Sequence, residues 1–324
     1  MKTKIFLASL LSFFFFVSAG ISMAQVDYPT KPIQMLIGYP PGGSTDIMGR
    51  ALAQEAKKYL GKEILIINRP GANGTVAATH VVTQKPDGYT IGTTPSASFT
   101  ITPLLQELKV DILKESIPIL SFGKFHVGIF VKTDSPFKTF NDFIKYAKQN
   151  PGKVTYGHPG SGTRPHLVME MIAAQEGAKI NFVAFKGDTP TATALLGGHI
   201  MVASCSAGGW ISHIQAGSIR LLAISEDERM DSFPDIPNVI ELGYPFPLPT
   251  ILVLYGPKGL PEYAVKKLEE AFVKASQSPA FREFATKNEL YSKKIMVRDE
   301  LSKFLNEEKT KTHDIIQKIG LGKK

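Results

Sequence analysis

Residues 33–60 decide the fold class, and they read IQMLIGYPPGGSTDIMGRALAQEAKKYL. Residues 33–39 are a short apolar run with β-branched side chains, which is typical of a buried strand. A loop of prolines and glycines follows, and residues 44–60 then have the amphipathic spacing of a helix, with Gly61 as its stop signal. A strand that leads through a tight loop into a helix is the repeating unit of α/β proteins, so we expect that class.

The alternation of strands and helices continues along the chain and then restarts. Further strands are expected at 63–67, 89–93, 126–132, 153–157, 180–185, 199–204 and 219–224. Further helices are expected at 75–84, 138–149, 164–176 and 189–196, and near the C-terminus at 261–277, 279–287 and 298–318. This order predicts two α/β units, each a mostly parallel sheet flanked by helices, with the C-terminal helices covering one unit.

Length, charge and cysteine content exclude several classes of function. The chain has 324 residues, a net charge of +8 and one cysteine, Cys205. A single cysteine rules out an intrachain disulfide framework and a cysteine-based metal site, and we predict that Cys205 is buried. The basic residues are spread along the chain, and the seven histidines form no H-E-x-x-H motif. We therefore expect no nucleic-acid partner, no metal and no cofactor.

The N-terminus has the features of a secretory leader. Two lysines precede an apolar run at residues 5–19, and a small-x-small pattern follows at 22–24. We predict that residues 1–24 are a signal peptide, cleaved after Ala24. The alternative is an uncleaved anchor helix, but the apolar run is shorter than the roughly 20 residues that a membrane span needs. The absence of disulfides fits a bacterial periplasm at least as well as a eukaryotic secreted domain, and no later segment reaches the length of a span.

A first candidate binding loop covers residues 39–46 and joins the first strand to its helix. Ligands of open α/β sheets bind at the carboxyl ends of the strands. A helix N-terminus there offers unpaired amides and a positive dipole end, which suit an anion, and Gly42 and Gly43 let the backbone approach closely. The alternative is a capped helix after a tight turn, with Ser44 or Thr45 as the cap.

Two more loops have the same position between a strand and a helix. Residues 158–166, HPGSGTRPH, match neither the dinucleotide fingerprint nor a Walker A loop nor a nucleophile elbow. They form either a second anion site or a flexible turn with a helix cap. In the loop at 185–190, Pro190 fits the first helical position, with Asp188 or Thr189 as the cap. Lys186 is either a ligand-binding cation or an ordinary exposed lysine.

These loops favour a binding protein over an enzyme. Two domains that each present a helix N-terminus at one edge can grip a ligand between them and close about a hinge. Trp210 could stack on a ligand or pack in the core, and Met169 and Met171 are expected in the core. A Ser–His–Asp set has no signature in the sequence.

Several short motifs resemble one family of receptors. The run YPTKPIQMLIGYPPGGSTDIMGR spans residues 28–50. Further matching segments are NRPGANG (68–74), PDGYT (86–90), DSPFKTFNDFIKYAKQNPGKVTYGHPGSGT (134–163), FKG (185–187), LLGGHI (195–200), LLAIS (221–225) and GPKGLP (256–261). Together they resemble the solute-binding receptors of tripartite tricarboxylate transporters, also called Bug-type or TctC-type receptors.

The resemblance implies a two-lobed, Venus-flytrap periplasmic binding protein of type II-like architecture. Such a receptor captures a small carboxylate between its lobes and delivers it to membrane permease subunits. We expect a monomer whose first lobe is discontinuous, with residues 25–125 and 246–324, and whose second lobe is 126–245. Two rival functions remain: a ligand sensor that reports to a membrane kinase, and a periplasmic hydrolase that would need a nucleophile and a base.

The resemblance also implies a set of ligand-binding residues. In the family the ligand is held by backbone amides, hydroxyls and bridging waters, without a required arginine. The first lobe should contribute Tyr39, Gly43, Ser44, Thr45, Asp46, Thr93 and Ser96. The second lobe should contribute Gly160, Ser161, Gly162, Thr163, His166, Lys186 and Gly187.

Two positions depart from the family pattern. Many relatives carry an acid near the end of the strand that follows LLGG, where this chain has the neutral residues Ser204, Cys205 and Ser206. A cleft without this acid is less suited to an amino group, which argues against amino-acid ligands. Gly38 stands where relatives often have proline, which could alter the entrance to the cleft.

Overall fold

The structure is a computed structural model that describes residues 27–226, 229–245 and 250–318. The expected signal peptide, residues 1–24 with the cleavage site at Ala24, lies outside the described residues. So does residue 246, where the chain was expected to return to the first lobe. No helix within the described ranges combines the length and the apolar character needed to cross a membrane.

Ten strands and eleven helices are assigned in the described chain. The strands are β1 (Ile33–Ile37), β2 (Ile64–Asn68), β3 (Thr90–Pro95), β4 (Ser116–Lys124), β5 (Val127–Lys132), β6 (Thr155–His158), β7 (Asn181–Ala184), β8 (Val202–Ser206), β9 (Ile219–Ile224) and β10 (Ile251–Pro257). The helices are α1 (Ser44–Leu60), α2 (Thr75–Val82), α3 (Ala97–Thr100), α4 (Thr102–Leu105), α5 (Phe140–Gln149), α6 (Arg164–Glu176), α7 (Asp188–Leu196), α8 (Ile211–Gln215), α9 (Glu262–Gln277), α10 (Pro279–Lys287) and α11 (Arg298–Lys318).

The strands form two sheets of five, and each sheet with its helices is a lobe. The sheet of lobe 1 has the order β2-β1-β3-β10-β4, and the sheet of lobe 2 has the order β7-β6-β8-β5-β9. The chain passes from lobe 1 to lobe 2 between β4 and β5, and it returns between β9 and β10. The two-lobed α/β class is therefore confirmed.

In each lobe four of the five strands run in the same direction and one runs against them, so the expectation of mostly parallel sheets is confirmed. In lobe 1, β1 pairs in parallel with β2 and β3, whereas β10 is antiparallel to both β3 and β4. In lobe 2, β6 is parallel to β7 and β8, whereas β5 is antiparallel to both β8 and β9. In each sheet one strand runs against both of its neighbours, so half of the strand pairs are antiparallel. This strand lies next to a crossing of the chain between the lobes.

The sequence reading missed β4 and β10, although both are buried along nearly their whole length. Pro118 and Gly256 interrupt these apolar runs and have the character of strand breakers. The pairing accommodates the proline at an irregularity, because the register between β10 and β4 shifts between Leu254 and Tyr255, where Tyr255 faces Pro118. A local interruption that the neighbouring strand absorbs cannot be recognised from one segment alone.

The C-terminal helices cover lobe 1, as expected. Helix α9 packs against α1 and β4, and α11 packs against β4. Leu268 and Phe272 lie one helical turn apart on the buried face of α9, and both are fully buried. In lobe 2, Cys205 is buried as predicted, and the predicted core positions of Met169 and Met171 are confirmed. Trp210 is also fully buried and packs edge-on against Phe233, so it belongs to the core.

Helix α5 begins with a reciprocal capping box. The Thr139 hydroxyl accepts from the Asp142 amide at 3.1 Å, and the Asp142 carboxylate accepts from the Thr139 amide at 2.9 Å. Each bond satisfies an amide that the first helical turn leaves unpaired. Hydrogen bonds from the Thr139 side chain, and then from the Thr139 and Lys138 amides, hold the pKa of the Asp142 carboxyl below its usual value.

We expect Thr139→Ala to lower the free energy of unfolding by about 1 kcal/mol, because it removes the hydroxyl that caps α5. Urea denaturation at pH 7 measures this loss. Asn141→Ala is the matched control, since Asn141 is an exposed residue of the same helical turn and should change stability by less than about 0.5 kcal/mol. Equal losses in the two variants would contradict the capping role.

Candidate functional site

Three helix N-termini converge on one cavity between the lobes. Its lining includes Thr45 near the start of α1, Thr163 and Arg164 at the start of α6, and Asp188 at the start of α7. Helix α1 belongs to lobe 1, whereas α6 and α7 belong to lobe 2. Each helix directs its unpaired amides and positive dipole end towards the same space, so the cavity is suited to an anion.

The first residues of these helices are capped differently from the sequence expectation. The N-cap of α1 is Gly43 and the N-cap of α7 is Gly187, and neither glycine has a side chain with which to cap. The alternative in which Ser44 or Thr45 caps α1 was therefore wrong. The expectation that Asp188 or Thr189 caps α7 with Pro190 as the first helical residue was also wrong, because α7 already begins at Asp188.

Helix α6 starts after Thr163, whose hydroxyl donates to the Gly160 carbonyl at 2.7 Å and does not cap the helix. The hydroxyl thereby holds the Gly-rich loop in a turn. Gly160 and Gly162 have φ values of 151° and 78°, which favour glycine, and this conformation brings the loop backbone up to lobe 1.

A cluster of hydroxyls and one carboxylate joins the lobes at the base of the cavity. Ser44 Oγ of lobe 1 donates to Asp188 Oδ2 at 2.9 Å and lies 2.8 Å from Ser206 Oγ. The Gly208 amide donates to Ser44 Oγ at 3.2 Å, and Ser206 Oγ donates to Asp188 Oδ2. We call Ser44, Asp188, Ser206 and Gly208 the interlobe cluster. At a second contact, Asn73 of lobe 1 donates to the Ser161 carbonyl.

Asp188 supplies an acid where the sequence reading expected none. Its carboxylate lies beside the end of β8, between Ser206 and the first residue of α1. Burial raises the pKa of the Asp188 carboxyl above its usual value, although hydrogen bonds from Ser206, from Ser44 and from the Ser44 amide oppose the increase. The expectation of a cleft without an acid at this place was wrong, because α7 brings one in from a neighbouring loop.

The predicted site residues divide among three adjoining cavities. Tyr39, Thr45 and Thr163 line the main cavity. Gly43, Ser44 and Gly187 line a second cavity that shares Tyr39, Thr45 and Asp188 with it. Gly160, Ser161 and the exposed Lys186 line a third cavity at the contact of Asn73 with Ser161, which also includes Gly38 and Phe185.

The other five predicted residues lie outside the lining of these cavities as described. The Asp46 carboxylate accepts from Arg50, Asn68 and Gly42, and these hydrogen bonds lower its pKa against the opposing effect of burial. Thr93 and Ser96 are buried in lobe 1, where Ser96 Oγ accepts from the Ile251 amide at 3.2 Å. The remaining two are Gly162 and His166, and the Gly162 amide donates to His166 Nδ1 at 3.1 Å.

Two histidines stack behind the Gly-rich loop. His158 and His166 have ring centroids 4.5 Å apart, and His158 Nδ1 lies 2.9 Å from the Gly160 carbonyl. A carbonyl only accepts, so this nitrogen carries a proton and donates. Burial, and then the neighbouring His166, lower the pKa of His158 to about 4. His158 is therefore neutral at pH 7, and it acts as a support for the loop.

Arg164 and Thr250 line the main cavity, and the sequence reading singled out neither. Arg164 is 2% exposed, and its Nη1 lies 2.8 Å from Glu226 Oε1 of the segment after β9. The signal for Arg164 was present, since it is the cation within the quoted segment HPGSGTRPH. Thr250 gave no signal, because it precedes the unrecognised strand β10. In the described part of the chain, no group of three or more His, Cys, Asp or Glu residues is arranged to hold a metal.

Comparison with known proteins gives matches along most of the chain. The family model described as the tripartite tricarboxylate transporter family receptor matches residues 48–321. A protein of Cupriavidus necator, described as the UPF0065 protein in the gbd 5′ region, is 38% identical over 309 residues, which are 95% of this chain and 93% of that protein.

Solved structures share the fold. The structure of a periplasmic transporter is 29% identical, with a TM-score of 0.85, and the match covers 91% of this chain and 99% of that one. An R. palustris protein with adipate is 22% identical, with a TM-score of 0.86 and the same coverage of both chains. At that identity the second likeness shows the fold alone.

The depressed pKa of His158 predicts a loss of stability in acid. The unfolded chain takes up this proton near pH 6.5, whereas the folded chain takes it up only near pH 4. The free energy of unfolding should therefore fall as the pH drops between these values, by about 2 to 3 kcal/mol from this residue at pH 4.5.

Urea denaturation at pH 7.5 and 4.5 tests this expectation in the parent protein and in His158→Gln, whose amide can still donate to the Gly160 carbonyl. The drop between the two pH values should be smaller in the variant by the stated amount. The contributions of the other titrating groups are the same in both proteins, so they cancel when the two drops are subtracted. Equal drops in both proteins would show that the neutral state of His158 does not contribute.

Proposed function

Because the chain belongs to the tripartite tricarboxylate transporter receptor family, we propose that it captures a small carboxylate between its lobes and delivers it to a membrane transporter. The observation that carries this proposal is the convergence of α1, α6 and α7 on one interlobe cavity. Two of these helices begin after glycine, so no N-cap side chain binds their first amides, and of these the Ser44 amide of α1 donates to Asp188. An anion gains more from three positive helix ends than an uncharged solute does.

The carboxylate site is best supported where lobe 1 faces lobe 2. Thr45 and Thr163 line the cavity from opposite lobes, and both are at least 95% buried. The Thr45 hydroxyl and the neighbouring helix amides can bind carboxylate oxygens directly or through water, at little entropic cost for each bridging water. A dissociation constant of 1 μM corresponds to about −8 kcal/mol, which several such hydrogen bonds in a closed cleft can supply.

The interlobe cluster supports a closing mechanism. Its hydrogen bonds join Ser44 of lobe 1 to Asp188, Ser206 and Gly208 of lobe 2. Separation of the lobes breaks these bonds and exposes the cavity, whereas closure reforms them around the solute. Binding and closure are then coupled, because the ligand and the cluster both hold α1 against lobe 2.

The proposed place of action is the periplasm. The likeness to a periplasmic transporter supports this location, and the leader at residues 1–24 would direct the export. The partners would be the membrane subunits of the transporter, which receive the solute when the lobes open. A receptor of this kind releases its solute unchanged, so we expect no turnover with any carboxylate ester or amide.

We expect a selective rise in melting temperature with the carboxylate that the protein binds. Thermal melting of the purified protein should be followed with mono-, di- and tricarboxylates, aromatic acids and acidic amino acids, each with its amide as the control. A ligand at about 100 times its dissociation constant stabilises by roughly 2.7 kcal/mol, or several degrees. The panel should be repeated after refolding from denaturant, which removes any bound solute. A flat panel after refolding would refute a carboxylate receptor.

We expect Gly208→Ala to weaken binding of that carboxylate at least tenfold by keeping the lobes apart. A Cβ atom at residue 208 would lie 2.5 Å from Ser44 Oγ and 3.0 Å from Ser44 Cα, so closure would cause a clash across the cleft. Calorimetric titration gives the affinity, and fluorescence of Trp210, the sole tryptophan, follows lobe 2 near this contact. The control is Ser212→Ala, an exposed position on α8. Parent-like affinity in Gly208→Ala would argue against closure through this cluster.

A further inference from the structure

Arg164 carries a positive charge at a place where a charge is costly. It is the first residue of α6, so it adds to the positive end of the helix dipole. It is also 2% exposed, so water does not solvate the guanidinium. A buried arginine in this position requires anions and hydrogen-bond acceptors around it.

The surrounding protein satisfies this requirement only in part. Glu226 lies 2.8 Å from Arg164 Nη1, and it is shared with Lys124, whose Nζ lies 3.6 Å from the other carboxylate oxygen. Arg164 Nε is buried and has no hydrogen-bond partner among the described residues. The hydroxyl of Thr250, which lines the same cavity, also lacks one in the described part of the chain. The Nε atom can only donate, so it needs an acceptor.

We propose that Arg164 is a specificity-determining residue that binds a second anionic group of the solute. The receptor would then select dicarboxylates over molecules of the same shape with one carboxylate. This inference rests on the proposed function, because it assigns the first carboxylate to the helix N-termini of the cleft. The second carboxylate supplies the acceptor that Nε lacks, and Thr250 can donate a further hydrogen bond to it.

A purely structural ion pair between Arg164 and Glu226 would not explain why the buried Nε donor has no acceptor among the described residues. Glu226 contacts only the Nη1 end of the guanidinium. The Nε donor keeps no partner within the described ranges, and it belongs to a residue that lines the cavity. An unmet buried donor is unfavourable, and an anionic ligand group removes that penalty on binding. Arg164 would then contribute to the difference in affinity between two ligands, which a structural pair would not.

The test compares each dicarboxylate with its own monoamide. Succinate, glutarate and adipate are titrated calorimetrically into the purified protein, expressed from the full chain with its own leader, alongside their monoamides. Each monoamide has the shape of its parent acid and one charge fewer. We expect at least one dicarboxylate to bind at least tenfold more tightly than its monoamide.

The decisive variant is the double substitution Arg164→Gln with Glu226→Gln. Removal of one partner alone leaves a buried unpaired charge, whereas replacement of both with neutral amides spares the fold. In this double variant the dicarboxylate should bind less than about threefold more tightly than its monoamide. Glu226→Gln alone should keep or increase the preference, since it leaves the arginine in place. Arg164→Lys should retain part of it, because the charge remains and the planar fork is lost.

Each outcome separates this inference from the proposed function. No preference in the parent protein, or a preference that survives in the double variant, would overturn the role of Arg164 while leaving a carboxylate receptor intact. If Glu226→Gln and the double variant lose the preference for the dicarboxylate over its monoamide equally, Arg164 is only a partner in a structural ion pair. Binding of no carboxylate in the broader melting panel would overturn the proposed function and this inference together.

Discussion

The central constraint of this structure is the meeting of three positive helix ends at the junction of two lobes. The N-termini of α1, α6 and α7 all line one cavity, and like ends repel each other when water is excluded. The carboxylate of Asp188 offsets this repulsion within the protein, because it accepts hydrogen bonds from Ser44 at the start of α1 and from Ser206 at the end of β8. The positive electrostatic field of the helix ends, which this internal carboxylate offsets, also suits the cavity to a carboxylate from solution.

The interlobe cluster is built from small groups, and this suits a contact that opens and closes. Ser44, Ser206 and Gly208 meet across it through hydroxyls and one backbone amide. Such groups lose few rotamers on contact and are solvated easily on separation. The crossings between lobes lie on either side of β5–β9, so lobe 2 can move as one body.

The elements that are defined by a local sequence pattern were predicted closely. The elements that depend on pairing with neighbouring strands were not. Helices α1 and α6 begin and end where the amphipathic spacing and the glycines placed them. Strands β4 and β10 escaped recognition, because the neighbouring strands accommodate Pro118 and Gly256. The three loops were correctly singled out as strand-to-helix connections at a sheet edge. Their capping was misread, because Ser44 and Asp188 make their hydrogen bonds across the cleft.

By itself, the sequence determined the α/β class, the two units, the order of the helices and the loops that carry the site. These follow from periodicity, glycine positions and short motifs, which act over neighbouring residues. Only the tertiary structure decided that Asp188 faces Ser44, that Asp46 is held by Arg50 and Asn68, and that Arg164 lines the cavity. These contacts join residues far apart in the chain, and their energies depend on burial, which a linear pattern does not contain.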